Sequence, residues 1–565
     1  KSSNGQVENL YKTLPRIHIG KIPIMLKSNI CVLKQYNHLN CELTGECTMD
    51  PGGYFIINGS EKTVLAQERA KENNITCYNV KKNNNKWSWL AELKSVPDFK
   101  CISPKQINIM ISTKNNGYGH SIFIQIPRIK QPIPIFIVFR ALGVISDQEI
   151  CEYILLDLKD EYSQKMLFGL KASIIDAVNF PNQETALNYI VGNAMYTPIN
   201  MSSEKGLEKK REFTINVLEN DLFPHCKNKT QKIYFLGLMI NKLLQTSYGW
   251  RKIDDRDSYI NKRIDLVGTL MNNLFRNYFN KLVKDMQKSI SREINNGSWR
   301  STGDYLNIIN KTNIYKIVKS TTIENGIKRA LATGDFAIKN TNSTKVGVAQ
   351  VLNRLTYIAS LSHLRRINTP IDKSGKLVPP RQLHSTQWGY ICPAESPEGQ
   401  SVGVVKNTSV LAHITIKSDT NIIYNVIEGT YIKLSDVTEK KALFDKVKLY
   451  INGCWVGIVD KPYEYYKFLK TNKYKGIFNI YTSIVFDYRN KEIFICNDGG
   501  RLSRPIYRVE NNKLNVEYKL NELLSNKKCV WDECLTDNDG CSILEYIDPE
   551  EQNNSLIAMN VNDLN

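Results

Sequence analysis

Between Arg381 and Asn407 the chain reads RQLHSTQWGYICPAESPEGQSVGVVKN, with Gly389, Pro393, Pro397, Gly399 and Gly403 spaced through it. Proline fixes φ and removes an N–H donor, and glycine opens backbone angles that other residues avoid. At this density neither a helix nor a strand is expected to run through, so the segment follows one specific irregular path. That path carries Arg381, His384, Glu395, Glu398 and Lys406. Charged groups on a rigid irregular loop are a usual way to present chemistry; a well-structured surface turn is the alternative.

The length, 565 residues, is enough for three or four domains. With 42% hydrophobic and 23% charged residues the chain reads as globular and core-forming. The formal charge of +19 favours a polyanionic partner, because surface Lys and Arg displace counterions from phosphates. Solubility, or an acidic neighbour, explains the same excess. The most apolar run, Ile133 to Phe139, is interrupted by Pro134 and ended by Arg140, far short of the roughly 20 residues of a bilayer span. It reads as a buried strand. Thirteen cysteines are scattered without a Cys-x-x-Cys pair. Cys41 and Cys47 are six apart, and Cys529, Cys534 and Cys541 cluster loosely. Structural zinc wants closer pairs, so reduced thiols, an intracellular setting and no metal site are expected.

Local signals place several elements. Asn58-Gly59 and Asn452-Gly453 each sit between β-rich runs, as hairpin turns do. Lys62 and Arg69 read as a solvated strand edge, with nucleic-acid contact as the other reading. Ser203 to Phe213 is a charge run, a solvated helix face or loop. Tyr234 to Gln245 has helical apolar spacing, and Val267, Leu270, Met271, Leu274, Tyr278 and Leu282 form a core-facing helical stripe. Val348, Val351, Leu352, Leu355 and Ile358 are also read as a helix, ended at Asn368 to Pro370. The acid-rich stretches Asp254 to Asp257 and Pro549 to Glu551 read as surface or structural rather than metal-binding.

CPAESPEG followed by VGVVKN resembles the signature of the second-largest subunit of multisubunit DNA-dependent RNA polymerases. Further collinear strings resemble the same family: DPGGYFIINGSEKTVLAQER (Asp50 to Arg69), DDRDSYINKRIDLVG (Asp254 to Gly268), LATGDF (Leu331 to Phe336), the run Gly347 to Ile371, INGCWVG (Ile451 to Gly457), DGGRLSRPI (Asp498 to Ile506) and EYIDPEEQN (Glu545 to Asn553). The likeness is nearest to RNA polymerase II and the polymerases of large DNA viruses. It implies an α+β multidomain chain. Residues 1–75 and 259–318 would be protrusion-like, 76–258 lobe-like, 319–405 fork-like, 406–530 external-domain-like and 531–565 a return to the fork. The family subunit is much longer, and this sequence starts at Lys1 without methionine, so it is expected to be an internal piece lacking the hybrid-binding, wall and clamp regions.

The resemblance also assigns roles. Arg381 and Glu398 would lie beside the incoming nucleoside triphosphate, where a planar guanidinium suits phosphate oxygens, with Gln382 as a weaker polar contact. Arg365, Arg366, Lys373 and Lys376 surround the glycine-containing loop Asp372 to Leu377, which would lie against the downstream DNA fork. Val378-Pro379-Pro380 stands where the family usually has another basic residue, which stiffens the loop and lowers its charge. Ser396 replaces the usual threonine and keeps the hydroxyl. The loop Ile338 to Lys345 would lie near the upstream edge of the RNA–DNA hybrid; a mobile surface loop has equal weight. Catalytic Mg²⁺ would be held mainly by the partner largest subunit, and zinc only by the C-terminal region outside this chain. Partners would be that subunit, smaller polymerase subunits, template DNA, RNA transcript and nucleoside triphosphates, with no membrane. The location would be the nucleus, or a viral factory or virion. A nucleic-acid-binding relic and a basic scaffold for acidic protein are the competing readings.

Overall fold

A computed structural model describes residues 2–3, 6–7, 11–35, 45–80, 86–198, 202–297, 309–310, 313–337, 346–375, 377–516, 525, 535–536 and 540–564. The chain is α+β and multidomain, with many separate sheets. It divides into two compact units. The first is Lys1–Arg69, Ile264–Leu383 and Ile391–Val410; the second is Ala70–Arg263, His384–Tyr390 and Leu411–Asn565. No helix among the described residues is long and apolar enough to cross a membrane.

The first unit is organised around the long helix Val267–Asn296. Its stripe behaves as its spacing predicts: Leu270, Leu274 and Leu282 are buried against Ile323, Ile327 and Leu331 of helix Thr321–Thr333. Phe55, Ile57 and Val64 close the same core. They come from the hairpin Phe55–Ile57/Ser60–Val64, whose turn residues Asn58 and Gly59 both have positive φ, 51° and 78°. That backbone matches the twist of the flanking strands, and Asn-Gly adopts it readily.

The helix expected from Val348 onward does not form there. Ala349–Val351 is a strand, paired antiparallel with the hairpin strand at Ala349↔Val64 and Val351↔Lys62. The backbone then turns at Asn353, whose side chain accepts from the Leu355 N–H at 2.9 Å. Helix Tyr357–Leu364 starts only after Thr356, which caps it by accepting from the Ala359 N–H at 3.1 Å. Asn and Thr offered the backbone local partners that compete with a continuous helix. Val348 and Leu352 are buried, whereas Leu355 is 86% exposed and Ile358 70%.

In the second unit an antiparallel meander runs through Thr76–Asn79, Trp87–Ser95, Lys105–Asn115, His120–Gln125 and Ile133–Pro134. Leu93, Ile107, Ile109, Ile122 and Ile124 join a large core with helix Lys229–Ser247, in which the Tyr234 to Gln245 spacing is borne out as helical. The charge run from Ser203 lies in helix Ser203–Asn220. The run read as a buried strand is corrected: only Ile133–Pro134 is strand, and Ile135–Ala141 is a helix. Pro134 occupies its N-cap, where a missing N–H costs no intrahelical bond. Every residue of this helix is buried, so no polar face marked its period.

A second sheet has the order Ile432–Lys433, Cys454–Val459, Val447–Ile451, Glu492–Cys496, Ser483–Asp487. Its hairpin turns at Asn452 and Gly453, φ 47° and 82°. Alternation along Val447–Ile451 sends Leu449 and Ile451 to one core, with helices Thr420–Ile427 and Pro462–Tyr474, and Tyr450 to the other.

Candidate nucleic-acid interface

The predicted site residues that the structure describes lie on the first unit, about the short strand Arg366–Asn368 and the segment that returns to it. This strand pairs in parallel with Ala66–Ala70 (Ile367↔Ala66) and antiparallel with Val405–Asn407 (Ile367↔Lys406). The Val405–Asn407 end of the Arg381 to Asn407 segment is thereby fixed. Beneath it is a buried cluster. The Lys406 ammonium donates to Glu68 at 3.1 Å and to Thr369 Oγ1 at 3.0 Å, and the Thr369 hydroxyl donates to Glu68 at 2.9 Å. Lys406 and Glu68 side chains are 6% and 2% exposed, so Lys406 is spent inside the fold rather than displayed. Removing either partner would leave a buried charge alone.

Arg381 follows two prolines in the 3₁₀ turn Pro379–Arg381. Its guanidinium reaches four backbone carbonyls. One nitrogen donates to Gln400 O at 2.6 Å and Val402 O at 3.0 Å; the other donates to Lys373 O at 2.8 Å and Gly375 O at 3.3 Å. Arg381 thus ties the basic loop to the stretch 400–402 that follows CPAESPEG. Gly403 makes this possible. Its φ is +66°, and a Cβ there would overlap the Arg381 carbonyl oxygen and Cα. Ser396 Oγ accepts from the Gly403 N–H at 3.1 Å, so the hydroxyl shared by serine and threonine has a structural use.

Glu398 is exposed before the short turn Gly399–Ser401, and no bond joins it to Arg381 among the described residues. Gln382 and Lys373 are exposed, and the Lys373 ammonium has no hydrogen-bond or ion-pair partner among the described residues. Asp372 builds the loop tip by accepting from the Ser374 N–H at 3.0 Å and its hydroxyl at 2.7 Å. Arg365 is exposed but engaged, donating to Ser409 O at 2.6 Å and Val410 O at 3.2 Å. Arg366 is half-buried in its strand. Lys345, with the whole stretch 338–345, and Lys376 lie outside the described residues.

Other residues proved structural. Lys62 donates to Ala332 O at 3.1 Å, and Arg69 pairs with Asp265 at 2.6 Å. Glu395 accepts from the Ser362 hydroxyl. Sequence reasoning missed His363, which accepts from the Asn353 N–H at 3.1 Å and contacts Gln350 Oε1 at 3.1 Å. Burial, then Arg366, pushes its imidazole down to about 4, so it stays neutral. Arg354, bidentate to Glu61 at 2.7 and 2.9 Å, was missed too. No local pattern marks either contact; the Asn353 and Thr356 turn signals were the visible clue.

In the acid-rich stretches of the second unit several carboxylates are paired. Asp254 pairs with Arg251 at 2.7 Å, and Asp255 meets His384 Nε2 at 2.7 Å. Glu550 pairs with Lys71 at 2.9 Å. Glu545 and Glu551 share Lys470 (2.6 and 2.7 Å) and Lys473 (3.3 and 3.0 Å) in a buried quartet. No group of three His, Cys, Asp or Glu able to hold a metal ion occurs among the described residues.

Residues 3–325 match the family model described as RNA polymerase beta subunit. Residues 350–414 and 449–510 match RNA polymerase Rpb2 domains 3 and 4. The chain is 36% identical over 576 residues to the DNA-directed RNA polymerase II subunit 2 of Arabidopsis thaliana, covering 100% of this chain and 46% of that protein. It is 36% identical over 550 residues to the RNA polymerase II subunit RPB2 of Encephalitozoon cuniculi, covering 96% and 46%. It is 32% identical over 572 residues to DNA-directed RNA polymerase subunit 2 of Acanthamoeba polyphaga mimivirus, covering 96% and 44%. The chain spans about half the length of the curated relatives it matches. It belongs to the RNA polymerase beta-subunit family, as a second-largest subunit of the RNA polymerase II-like kind.

Proposed function

We propose that this chain forms one side of the active-centre cleft of a DNA-dependent RNA polymerase and contacts DNA, the RNA–DNA hybrid and the incoming nucleotide. The observation that carries this reading is the collinear match of three successive stretches to models of one subunit. The exposed Lys373 and Gln382, on a loop held by Arg381, support nucleic-acid contact there. In this reading Lys345, Arg365, Arg366, Lys373, Lys376 and Gln382 meet nucleic acid. Arg381 and Glu398 shape the region that receives the nucleoside triphosphate. Arg381 acts there as a positioning residue, since its two terminal nitrogens already serve backbone carbonyls.

RNA would grow by attack of its 3′ hydroxyl on the α-phosphate of the next nucleoside triphosphate, with the α–β phosphoanhydride bond breaking and pyrophosphate leaving. Magnesium, held mainly by the partner largest subunit, would supply the charge neutralisation that this attack needs. Zinc belongs to the family's C-terminal clamp, outside this chain. Smaller polymerase subunits complete the assembly, and its place is the nucleus, or a viral factory or virion. Residues 1–75 and 259–318 serve as protrusion, 76–258 as lobe, 319–405 as fork, 406–530 as external domain and 531–565 as the return to the fork.

The test is to purify the intact complex through this chain and assay primer extension on a DNA template. Co-purification of a larger subunit, with magnesium-dependent extension weakened by Arg381→Ala, is the expected result. A chain that purifies alone and extends no primer would overturn the reading in favour of a nucleic-acid-binding relic or a scaffold.

A further inference from the structure

The second unit contains a cavity of about 460 Å³ that the polymerase reading does not use. Ligand pockets typically span about 300–1,000 Å³. Its wall brings together Tyr153, Tyr162, Trp250, Phe444 and Trp455, with Lys448 as its cation. The aromatic side is already ordered. Trp250 stacks on Tyr248 at 4.9 Å and meets Tyr162 edge-on, also at 4.9 Å. Such rings offer flat faces to another planar group at little further entropic cost.

Several polar groups of the wall are engaged, although the buried Ser163 hydroxyl, which also lines it, has no partner among the described residues. Asn241 donates to Ile154 O at 2.8 Å, and Gln245 donates to Asn241 Oδ1 at 2.8 Å. The acid in the wall, Asp160, caps helix Glu161–Asp176 by accepting from the Ser163 N–H at 3.1 Å. Lys448 is different. It sits on strand Val447–Ile451, facing away from the core that Leu449 and Ile451 enter. Its ammonium lies 5.7 Å from the Trp455 ring centre and has no hydrogen-bond acceptor or paired carboxylate among the described residues. The neighbouring Glu492 is occupied, by Lys242 at 3.0 Å and the Tyr450 hydroxyl at 3.2 Å.

We propose that this cavity binds a planar aromatic molecule carrying a single carboxylate. The rings would receive the aromatic body, and Lys448 would supply the cation of the cavity wall. One cation matches one negative charge, which favours a monocarboxylate over a phosphate ester. Burial lowers the Lys448 pKa; Glu492 raises it, and Lys242 and Lys491 lower it again. A bound anion would favour the charged amine.

The test is calorimetric titration of the full chain with 2-naphthoate, and in parallel with the neutral 2-naphthylmethanol. Saturable one-site binding of the carboxylate is expected. Lys448→Met should weaken the carboxylate about tenfold and change the alcohol by less than about twofold. Tyr162→Ala should weaken both ligands. Tyr162 is 56% exposed, so that variant keeps the test open should Lys448→Met fail to fold. Absence of saturable binding overturns the proposal. So does equal weakening of both ligands by Lys448→Met, or unchanged binding in Tyr162→Ala.

Discussion

Lys373 and Lys473 carry the same ammonium group into opposite circumstances. Lys373 stands exposed on a loop whose backbone Arg381 holds in place. Lys473 is buried in the second unit, bonded to Glu545, Glu551 and the Tyr546 carbonyl. In the first case the protein orders the backbone and leaves the charge to water. In the second it removes the charge from water and must supply every partner itself. Part of the chain's complement of 75 Lys and Arg residues therefore has a role in folding. Only the exposed part is open to phosphate.

The largest test of this contrast is Glu551→Gln. It strips a charge from the buried quartet and leaves two lysines sharing one carboxylate. A loss of about 3–5 kcal/mol is expected, read from the urea midpoint of the second unit. The pH dependence has a definite sign. Burial alone would raise the Glu545 carboxyl, but Lys473 and Lys470 outweigh it and hold it at about 2. An unfolded glutamate titrates near about 4.3. The stabilisation is therefore complete above that value and fades as pH falls towards 2. A stability curve flat across this window would contradict the quartet's role.

Next comes Gly403→Ala, where a Cβ would overlap the Arg381 backbone at positive φ. A cost of about 1–3 kcal/mol is expected, confined to the first unit and visible as an earlier thermal transition. Arg381→Lys should cost less in stability yet loosen the loop, because an ammonium lacks the planar fork that reaches four carbonyls. Faster amide exchange across 373–375 and 400–403, with the second unit unchanged, is the signature. The smallest stability effect belongs to Lys373→Ala, within about 0.5 kcal/mol. Its mark should be in binding: weaker affinity for DNA and a log–log salt slope reduced by about 1. An unchanged salt slope would remove Lys373 from the interface.

The same contrast shows what the sequence could disclose. The Asn-Gly turns were legible because positive φ is a property of two adjacent residues. Helix Val267–Asn296 was legible because one face is wet and the other dry. Helix Ile135–Ala141 was not, since burial on all sides erases the period. Nor was strand Ala349–Val351, whose partner Ser60–Val64 is remote in sequence. At the candidate site the segment's rigidity and its basic loop could be read from proline, glycine and charge. The work of Arg381 could not, because its acceptors are backbone carbonyls, which every residue carries. Lys406 and Lys373 are equally basic in a string of letters, and only the buried Glu68 separates them.

The two hairpin turns share a dipeptide but will not age alike. Asn-Gly is the pair most open to deamidation, in which the following backbone nitrogen attacks the side-chain amide. Asn58 is exposed at its turn, free to swing into that geometry. Asn452 is buried; its amide donates to Asn497 Oδ1 at 2.7 Å and to Asp98 at 3.1 Å, and its oxygen accepts from the Asn497 N–H at 3.0 Å. Of these two turns, stored protein should therefore gain an extra negative charge first at Asn58, which peptide mapping would register. At Asn452 the bonds that fix the turn also shield it from chemical decay.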